Sequence, residues 1–424
     1  MDTHHLRNLL HPDLLRQRLE SEGVPRTTLS FYRYVRLADA EALRHTLYQE
    51  WEALGVLGRT YLSQEGINAQ VSLPTQNLEA FRANLDGREA FRGVPWKIAV
   101  EDDGKSFLKL ILKVRKKIVA DGLADDAFDV TNVGTHLDAK TFNQKMEEGA
   151  VVIDMRNNYE CLIGHFEGAY LPKADNFRGA IDEVTEMLRA TEAQTDDQGV
   201  GSVDPLGRPT QQPEILLYCT GGIRCEKASA YLKHEGFTNV AQLHGGIIDY
   251  ARQLKAEGLP SKYKGQNFVF DERLAERITD DVVSTCMQCG TTSDRITNCH
   301  EATCNMLLVQ CEACAAKYAD CCSPSCREIH QLPIETQRVW RKGRSTRSTK
   351  TKAINDPEGL RQRIREEEAI LAEKGTLHPE IVRAGNFPPQ LTDIIQRAEQ
   401  GQEISDPYNS SDRTTFSGSV AASN

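Results

Sequence analysis

The sequence predicts an α/β protein of several modules, and three observations carry that reading. Short apolar runs alternate with helical patterns up to about residue 260, as strands and helices folded in turn require. Two runs, AVVIDM and EILLYCT, are continuously apolar, the mark of strands buried on both faces of a parallel sheet. Nine of the 12 cysteines lie between Cys286 and Cys326, which sets a small Cys-rich module apart from the α/β part. A length of 424 residues, at about 150 residues per domain, gives roughly three domains.

In chain order, residues 1–25 are polar, end at Pro25 and read as an N-terminal arm. Residues 26–125 read as a ferredoxin-like α/β sandwich. TLSFYRYVRL has strand composition, and ADAEALRHTLYQEWEALG has helical spacing and a terminal glycine. GRTYLSQEGINAQVSL gives two strands about a turn at Glu65-Gly66, and NLEAFRANL a second helix. WKIAVED and SFLKLILKVRKKIV then close the sheet. Residues 130–262 form the parallel α/β unit, interrupted at 195–214 by a Gly-, Pro- and Asp-rich stretch that reads as a surface loop. Residues 265–330 hold the Cys-rich module. Residues 331–424 read as a basic and largely disordered tail, with a charged helical stretch near 357–374.

Lys plus Arg is 51 against 61 Asp plus Glu, a net charge of −10, with a pI near 5.7. That balance argues against coating of a polyanion by the whole surface and leaves room for a local basic face. No apolar run approaches the ~20 residues that span a bilayer, and MDTHHLRNLLHPDLL lacks the apolar core of a secretory leader. The expectation is a soluble cytoplasmic protein whose cysteines stay reduced. The sequence leaves the oligomeric state open.

The chemically informative run is EILLYCTGGIRCEKASAYL, residues 214–232. A buried strand delivers Cys219 to its C-terminal end, where open α/β sheets form their ligand crevice. Thr220, Gly221, Gly222 and Ile223 make a short anion-binding loop, and Arg224 opens a helix. Converging amides and the helix dipole stabilise an anion at the loop centre, and Arg224 adds a full positive charge. A cysteine so placed becomes a thiolate nucleophile. The plain alternative is a buried cysteine beside turn glycines, but the coincidence of Cys, two Gly, Arg and a helix favours the functional loop. Cys225 reads either as a resolving thiol or as a structural cysteine. Arg224 stands five positions after Cys219, one fewer than cysteine phosphatases need.

In the Cys-rich module, Cys286-x-x-Cys289 and Cys311-x-x-Cys314 have zinc-site spacing. Cys299, Cys304, Cys322 and Cys326 make a second site, with Cys321 and His300 as alternates. About 60 residues do not easily form a stable core unaided, which favours structural zinc. An iron–sulfur cluster is the alternative.

The loop, VVIDMRNNYECLIGHFEGAY (151–170) and LHGGIIDYARQL (243–254) together resemble a rhodanese domain. With YLSQEGINAQ, EDDGKSFLKLILKVRKKIVADGL, VTNVGTHL and NFVFDERLAERITDD, the chain from about residue 26 to 326 resembles the bacterial rhodanese-domain tRNA uridine hydroxylases. The resemblance implies oxygen-dependent hydroxylation of the wobble uridine at carbon 5, with tRNA as partner, molecular oxygen as co-substrate and Cys219 as the active-site cysteine. Some members carry a further cysteine where this chain has Thr292 and Ser293, which leaves the ligand pairing open. One scheme has the Cys219 thiolate add to the pyrimidine, with Arg224 and loop amides stabilising the anion; the rival puts a persulfide or sulfenate on Cys219. The rival functions are a thiosulfate or persulfide sulfurtransferase and a non-catalytic RNA- or protein-binding module.

On that reading, Lys113, Arg115, Lys116 and Lys117, with Lys109 beside them, offer phosphate contacts. So does the stretch 337–352, which has seven Lys or Arg, no acid, and Trp340 for stacking. Solvated charged faces are the alternative for both. Asp154, His165 and His244 read as structural residues, and Glu226 and Lys227 as solvated residues of a first helical turn.

Overall fold

The computed structural model describes residues 12–102, 104–123, 127–197, 213–341 and 356–378. It opens with α1 (Pro12–Glu22), β1 (Arg26–Tyr34), α2 (Ala40–Ala53), β2 (Leu57–Ser63), β3 (Gly66–Pro74), α3 (Leu78–Asp86), β4 (Lys97–Ile98) and β5 (Leu110–Val114). Strand alternation dictates the packing here. Leu29 and Phe31 of β1 and Ala69 and Val71 of β3 are buried in one core with Trp51 of α2 and Phe81 of α3. Ser30, Tyr32, Asn68 and Gln70 therefore face the other way. Asp39 starts α2 by accepting the Ala42 N–H, which satisfies one of the amides a helix start leaves unpaired. The sheet order β4-β1-β3-β2-β5 contains the split βαβ arrangement read from the sequence. The two closing segments land on opposite edges, with β4 antiparallel to β1 and β5 parallel to β2.

The second α/β part comprises β6 (Thr135–Leu137), α4 (Ala139–Glu147), β7 (Val151–Asp154), α5 (Asn158–Cys161), β8 (Gly164–Phe166) and α6 (Phe177–Asp197). It continues with β9 (Ile215–Tyr218), α7 (Ile223–His234), β10 (Val240–Leu243) and α8 (Gly246–Glu257). Its sheet, β6-β10-β9-β7, is parallel throughout. All four residues of β9 are buried, as its unbroken apolar run requires. Asp154 and Arg156 form a fully buried pair, Arg156 also donating to the Gly164 carbonyl at 2.7 Å. Asp154 is thus a structural residue, and His165, held to the Cys161 carbonyl at 3.1 Å, is likewise tied to its own segment.

Next come β11 (Tyr263–Phe268), β12 (Ala275–Arg277), β13 (Ile296–Asn298), β14 (Leu307–Val309), α9 (Glu312–Tyr318), α10 (Pro324–His330), α11 (Ile334–Arg341) and α12 (Pro357–Lys374). β11 pairs with β8, so the segment read as the Cys-rich module from residue 265 begins on a strand joined to the α/β part. The backbone demands this, because β8 offers an edge that must be hydrogen-bonded. The chain divides into a first unit, residues 1–297 with 309–311, and a second, residues 298–308 with 312–424. Within the second unit α12 packs on α10 and buries Leu360 and Ile364. The stretch 331–424 is therefore not uniformly disordered: α12 is the charged helix expected near 357–374. Residues 198–212 of the insertion at 195–214, and residues 342–352 of the basic stretch at 337–352, lie outside the described residues. No described helix is long and apolar enough to cross a membrane.

Candidate active site

Cys219 follows β9 directly and is fully buried. The loop after it needs glycine at two places. Gly222 caps α7 at φ 95°, and a side chain there would begin 2.9 Å from the Tyr32 hydroxyl. Gly246, at φ 68°, lies so close that a Cβ would stand 2.5 Å from the Cys219 carbonyl oxygen. Only glycine lets this turn dock on the loop, where the Ile247 and Ile248 amides donate to the Cys219 and Thr220 carbonyls.

The Cys219 Sγ accepts the Gly222 N–H at 3.1 Å. Burial pushes the thiol up, but a hydrogen bond from the Cys225 thiol, the Arg224 charge and the Arg224 and Cys225 amides outweigh it, bringing Cys219 from 9.0 to about 6. Cys225 is held well above 9.0 by burial and by Cys219 itself, so it stays protonated as the donor. Of the expected anion-binding loop of Thr220, Gly221, Gly222 and Ile223, Gly222 donates its amide to the sulfur; the other amides that favour its thiolate form are those of Arg224 and Cys225.

Arg224 is not a free cation. Its guanidinium meets both oxygens of Glu160, at 2.5 and 2.8 Å, and Glu160 is fully buried. Glu160 is fixed by a capping box with Asn157 at the start of α5. Sequence reasoning missed it, because Glu160 and Arg224 are 64 positions apart. Glu160→Gln leaves a buried guanidinium without its counter-charge, and the expected cost is about 3–5 kcal/mol of folding stability. Urea unfolding at pH 7 checks this; a variant as stable as the parent refutes it. The same change should lower the Cys219 pKa further, because the positive charge beside the sulfur is no longer compensated.

Glu226 and Lys227 correct the sequence reading. Neither is a solvated residue of α7, because the first turn of that helix packs under the ferredoxin-like sheet. Tyr32 donates its hydroxyl to Glu226 at 2.9 Å. Lys227 is fully buried and donates to Asp121 at 2.8 Å, to Glu65 at 3.0 Å and to the Val119 carbonyl. Glu65, read only as a turn residue, is therefore part of the junction between the two α/β parts. His244 is exposed and stacks edge-on against His136 at 5.7 Å.

Between the ferredoxin-like sheet and the loop lies a cavity of about 320 Å³ lined by Cys219, Thr220, Gly221, Ile223 and Arg224. The sheet contributes two rows of side chains in register. Lys97, Ser30, Gln70 and Arg59 cross it from β4 to β2, and Tyr32, Asn68 and Tyr61 lie beside them. Among the described residues nothing hydrogen-bonds the side-chain amides of Asn68 and Gln70. Phe270, Asp271, Arg273 and Glu276 complete the wall, and the buried Glu276 Oε2 meets no hydrogen-bond partner among the described residues. No local sequence signal marks these residues, since strand register alone brings them to one face.

A second, larger cavity of about 1290 Å³ is lined by Arg115, Lys116 and Lys117, and shares Tyr61 and Ile118 with the first. Lys113, Arg115 and Lys116 are exposed. Lys117 is instead engaged with Asp121 at 2.7 Å and the Leu123 carbonyl at 2.9 Å, which ties down a turn and takes it out of any free basic face.

The cysteines gather as their spacing suggested. In the first unit the sulfurs of Cys286, Cys289 and Cys311 lie within 4.8 Å of one another, with Cys314 following three positions on. In the second unit Cys299, Cys304, Cys322 and Cys326 form a complete group of four. The Cys304–Cys322 and Cys322–Cys326 sulfurs are 3.6 Å apart. A tetrahedron of thiolates about 2.3 Å from a zinc ion has edges of about 3.8 Å, so these donors fit such an ion. The alternates behave differently: Cys321 is buried outside the group, and His300 stacks on His330 at 5.5 Å.

Three family models match the chain: an acylphosphatase-like domain of the UPF0176 type over residues 26–118, a rhodanese-like domain over 138–253 and a rhodanese C-terminal domain over 264–327. A tRNA uridine(34) hydroxylase of Leptospira interrogans is 53% identical over 340 residues, covering 80% of this chain and 88% of that one. Proteins of the same name from Yersinia enterocolitica and Cronobacter sakazakii are each 46% identical, covering 84% and 83% of this chain and 96% and 99% of theirs. With both α/β parts matched and the cysteine loop intact between them, this chain belongs to the tRNA uridine(34) hydroxylase family.

Proposed function

We propose that the chain hydroxylates carbon 5 of the wobble uridine of tRNA, with dioxygen as co-substrate and Cys219 as the covalent nucleophile. The observation that carries this reading is a cysteine brought to about 6 at the wall of a cavity sized for one small ligand. A base turned out of an anticodon loop is such a ligand. The amides of Asn68 and Gln70, without a partner among the described residues, supply hydrogen bonds to its edge, and Tyr32 and Tyr61 supply aromatic surface. Arg115 and Lys116, in the adjoining cleft, meet the flanking phosphates.

The thiolate adds to carbon 6, and the π pair moves toward carbon 5 and the carbon 4 carbonyl. Carbon 5 then takes an oxygen atom from dioxygen, and loss of the carbon 5 proton expels Cys219. The balance is one dioxygen, one C5–H and two thiols of a reductant, giving C5–OH, water and one disulfide. Arg224, tethered by Glu160, acts through Cys219 as a positioning residue. Cys286, Cys289 and Cys311 of the first unit, and Cys299, Cys304, Cys322 and Cys326 of the second, serve as ligands of structural zinc, with no place in the reaction.

Nucleoside analysis of tRNA from a deletion strain tests the assignment. Loss of 5-oxidised uridine at the wobble position, restored by this chain, is expected. Loss of thionucleosides instead, or no change, overturns it.

A further inference from the structure

The cavity holds a cation that the scheme above has not used. Lys97 lies on β4, a strand of two residues, paired with Ser30. Its side chain is 6% exposed and lines the same cavity as Cys219. Among the described residues it makes no hydrogen bond and no ion pair. Its ammonium stands over the Tyr32 ring, 4.4 Å from the centroid. Its stem reaches the loop: a side chain at Gly221 would begin 3.8 Å from the Lys97 Cδ.

Such a group is costly to keep, because a buried charge is normally paired. Asp249, Cys219 and Glu226 act on it through space, favouring the ammonium, while burial, the larger influence, lowers its pKa. The donors of the ammonium remain available to something that enters the cavity.

We infer that Lys97 is a catalytic residue which donates an N–H to the pyrimidine carbon 4 oxygen as Cys219 adds to carbon 6. The inference rests on the reading of the cavity as a uridine site. In this step the sulfur lone pair forms the S–C6 bond, and the C5–C6 π pair becomes the C4–C5 π bond. The carbonyl π pair goes to oxygen, giving an enolate, and no proton or oxidant is needed. The ammonium keeps its proton and its hydrogen bond strengthens as charge builds on the oxygen, so the interaction favours the transition state over the ground state. An ammonium has donors only. It suits the carbonyl of uracil and opposes the amino group that cytosine carries at the same place.

The step can be read without hydroxylation. In heavy water and without oxygen, the enolate takes a deuteron at carbon 5, and reversal of the addition releases the original proton. The full-length protein is incubated with tRNA carrying an unmodified wobble uridine, and deuterium at carbon 5 is measured by mass spectrometry. The parent should exchange and Cys219→Ser should not. Lys97→Met should exchange roughly 100-fold more slowly per thiolate, the thiolate fraction of Cys219 being read from its ultraviolet signal in each protein, while tRNA affinity stays close to the parent's. Lys97→Arg should recover part of the rate. Lys97→Gln, a neutral donor that reports independently if the methionine variant fails to fold, should lie between the methionine variant and the parent. Exchange by either neutral variant at the parent's rate overturns the role of Lys97 alone. A parent that hydroxylates in air yet never exchanges overturns the addition step and Lys97 with it, leaving the hydroxylase assignment in place.

Discussion

Replacing Cys219 with serine is expected to leave the fold intact and abolish uridine hydroxylation, a fall of at least about 10³-fold. Serine fits the space and can accept the same Gly222 amide. What it lacks is ionisation. The site brings a thiol from 9.0 to about 6, so about nine-tenths of it is thiolate at pH 7, whereas an alcohol given the same help stays protonated. The parent's rate should accordingly fall tenfold for each pH unit below about 6, as the thiolate is titrated. Stability carries the same sign. The folded-state pKa is depressed, so the ionised sulfur stabilises the fold in full above the ordinary thiol pKa, and that contribution is lost as pH falls from 9.0 to about 6. The serine variant lacks it, and the stability difference between the two proteins should narrow over that window. Quantification of 5-hydroxyuridine in tRNA treated with each protein, and urea unfolding at both ends of the window, are the measurements. Serine protein that still hydroxylates at the parent's rate would falsify the nucleophile.

What the sequence made legible was local. The Cys219 loop is written in consecutive residues: a buried strand, two glycines and a helix start, and each feature alone constrains the backbone. The strands and helices of both α/β parts followed from periodicity for the same reason. The rest of the site is long-range. Glu160 reaches Arg224 from 64 positions away, and Tyr32 reaches Glu226 from 194. Nothing near α7 in sequence says that its first turn is covered by another sheet, so Glu226 and Lys227 read as solvated. Lys97, Asn68 and Gln70 converge only through the register of three strands. The placement of β11 was hidden similarly, because its partner β8 is a three-residue strand with little pattern of its own. The basic run at the end of the first domain was visible, but its geometry was not: Lys117 is spent on Asp121.

Removing metal from the protein should unfold the second unit while the α/β part persists. Among the described residues of that unit, the larger buried apolar side chains outside the cysteines are Met306, Leu307, Leu308, Tyr318, Ile329, Leu360 and Ile364, a small core to hold a module unaided. The group of Cys299, Cys304, Cys322 and Cys326 sits within it. Arg363 of α12 donates to the Cys322 sulfur at 3.5 Å, and Glu367 accepts the Ser325 amide at 2.9 Å. Four sulfurs gathered within 4.8 Å of one another repel once ionised unless a cation binds them, so metal binding free energy becomes folding free energy here. Elemental analysis of the native protein should find two zinc ions per chain, and Cys326→Ser should leave one. Chelation under reducing conditions should release α12 to proteolysis within the second unit, and added zinc should restore protection. The cysteine loop is built by β9, α7 and α8, so thiolate absorbance from Cys219 should survive the treatment. A chain that carries no metal, or one whose second unit resists proteolysis equally with and without it, would show that these sulfurs pack as ordinary buried thiols.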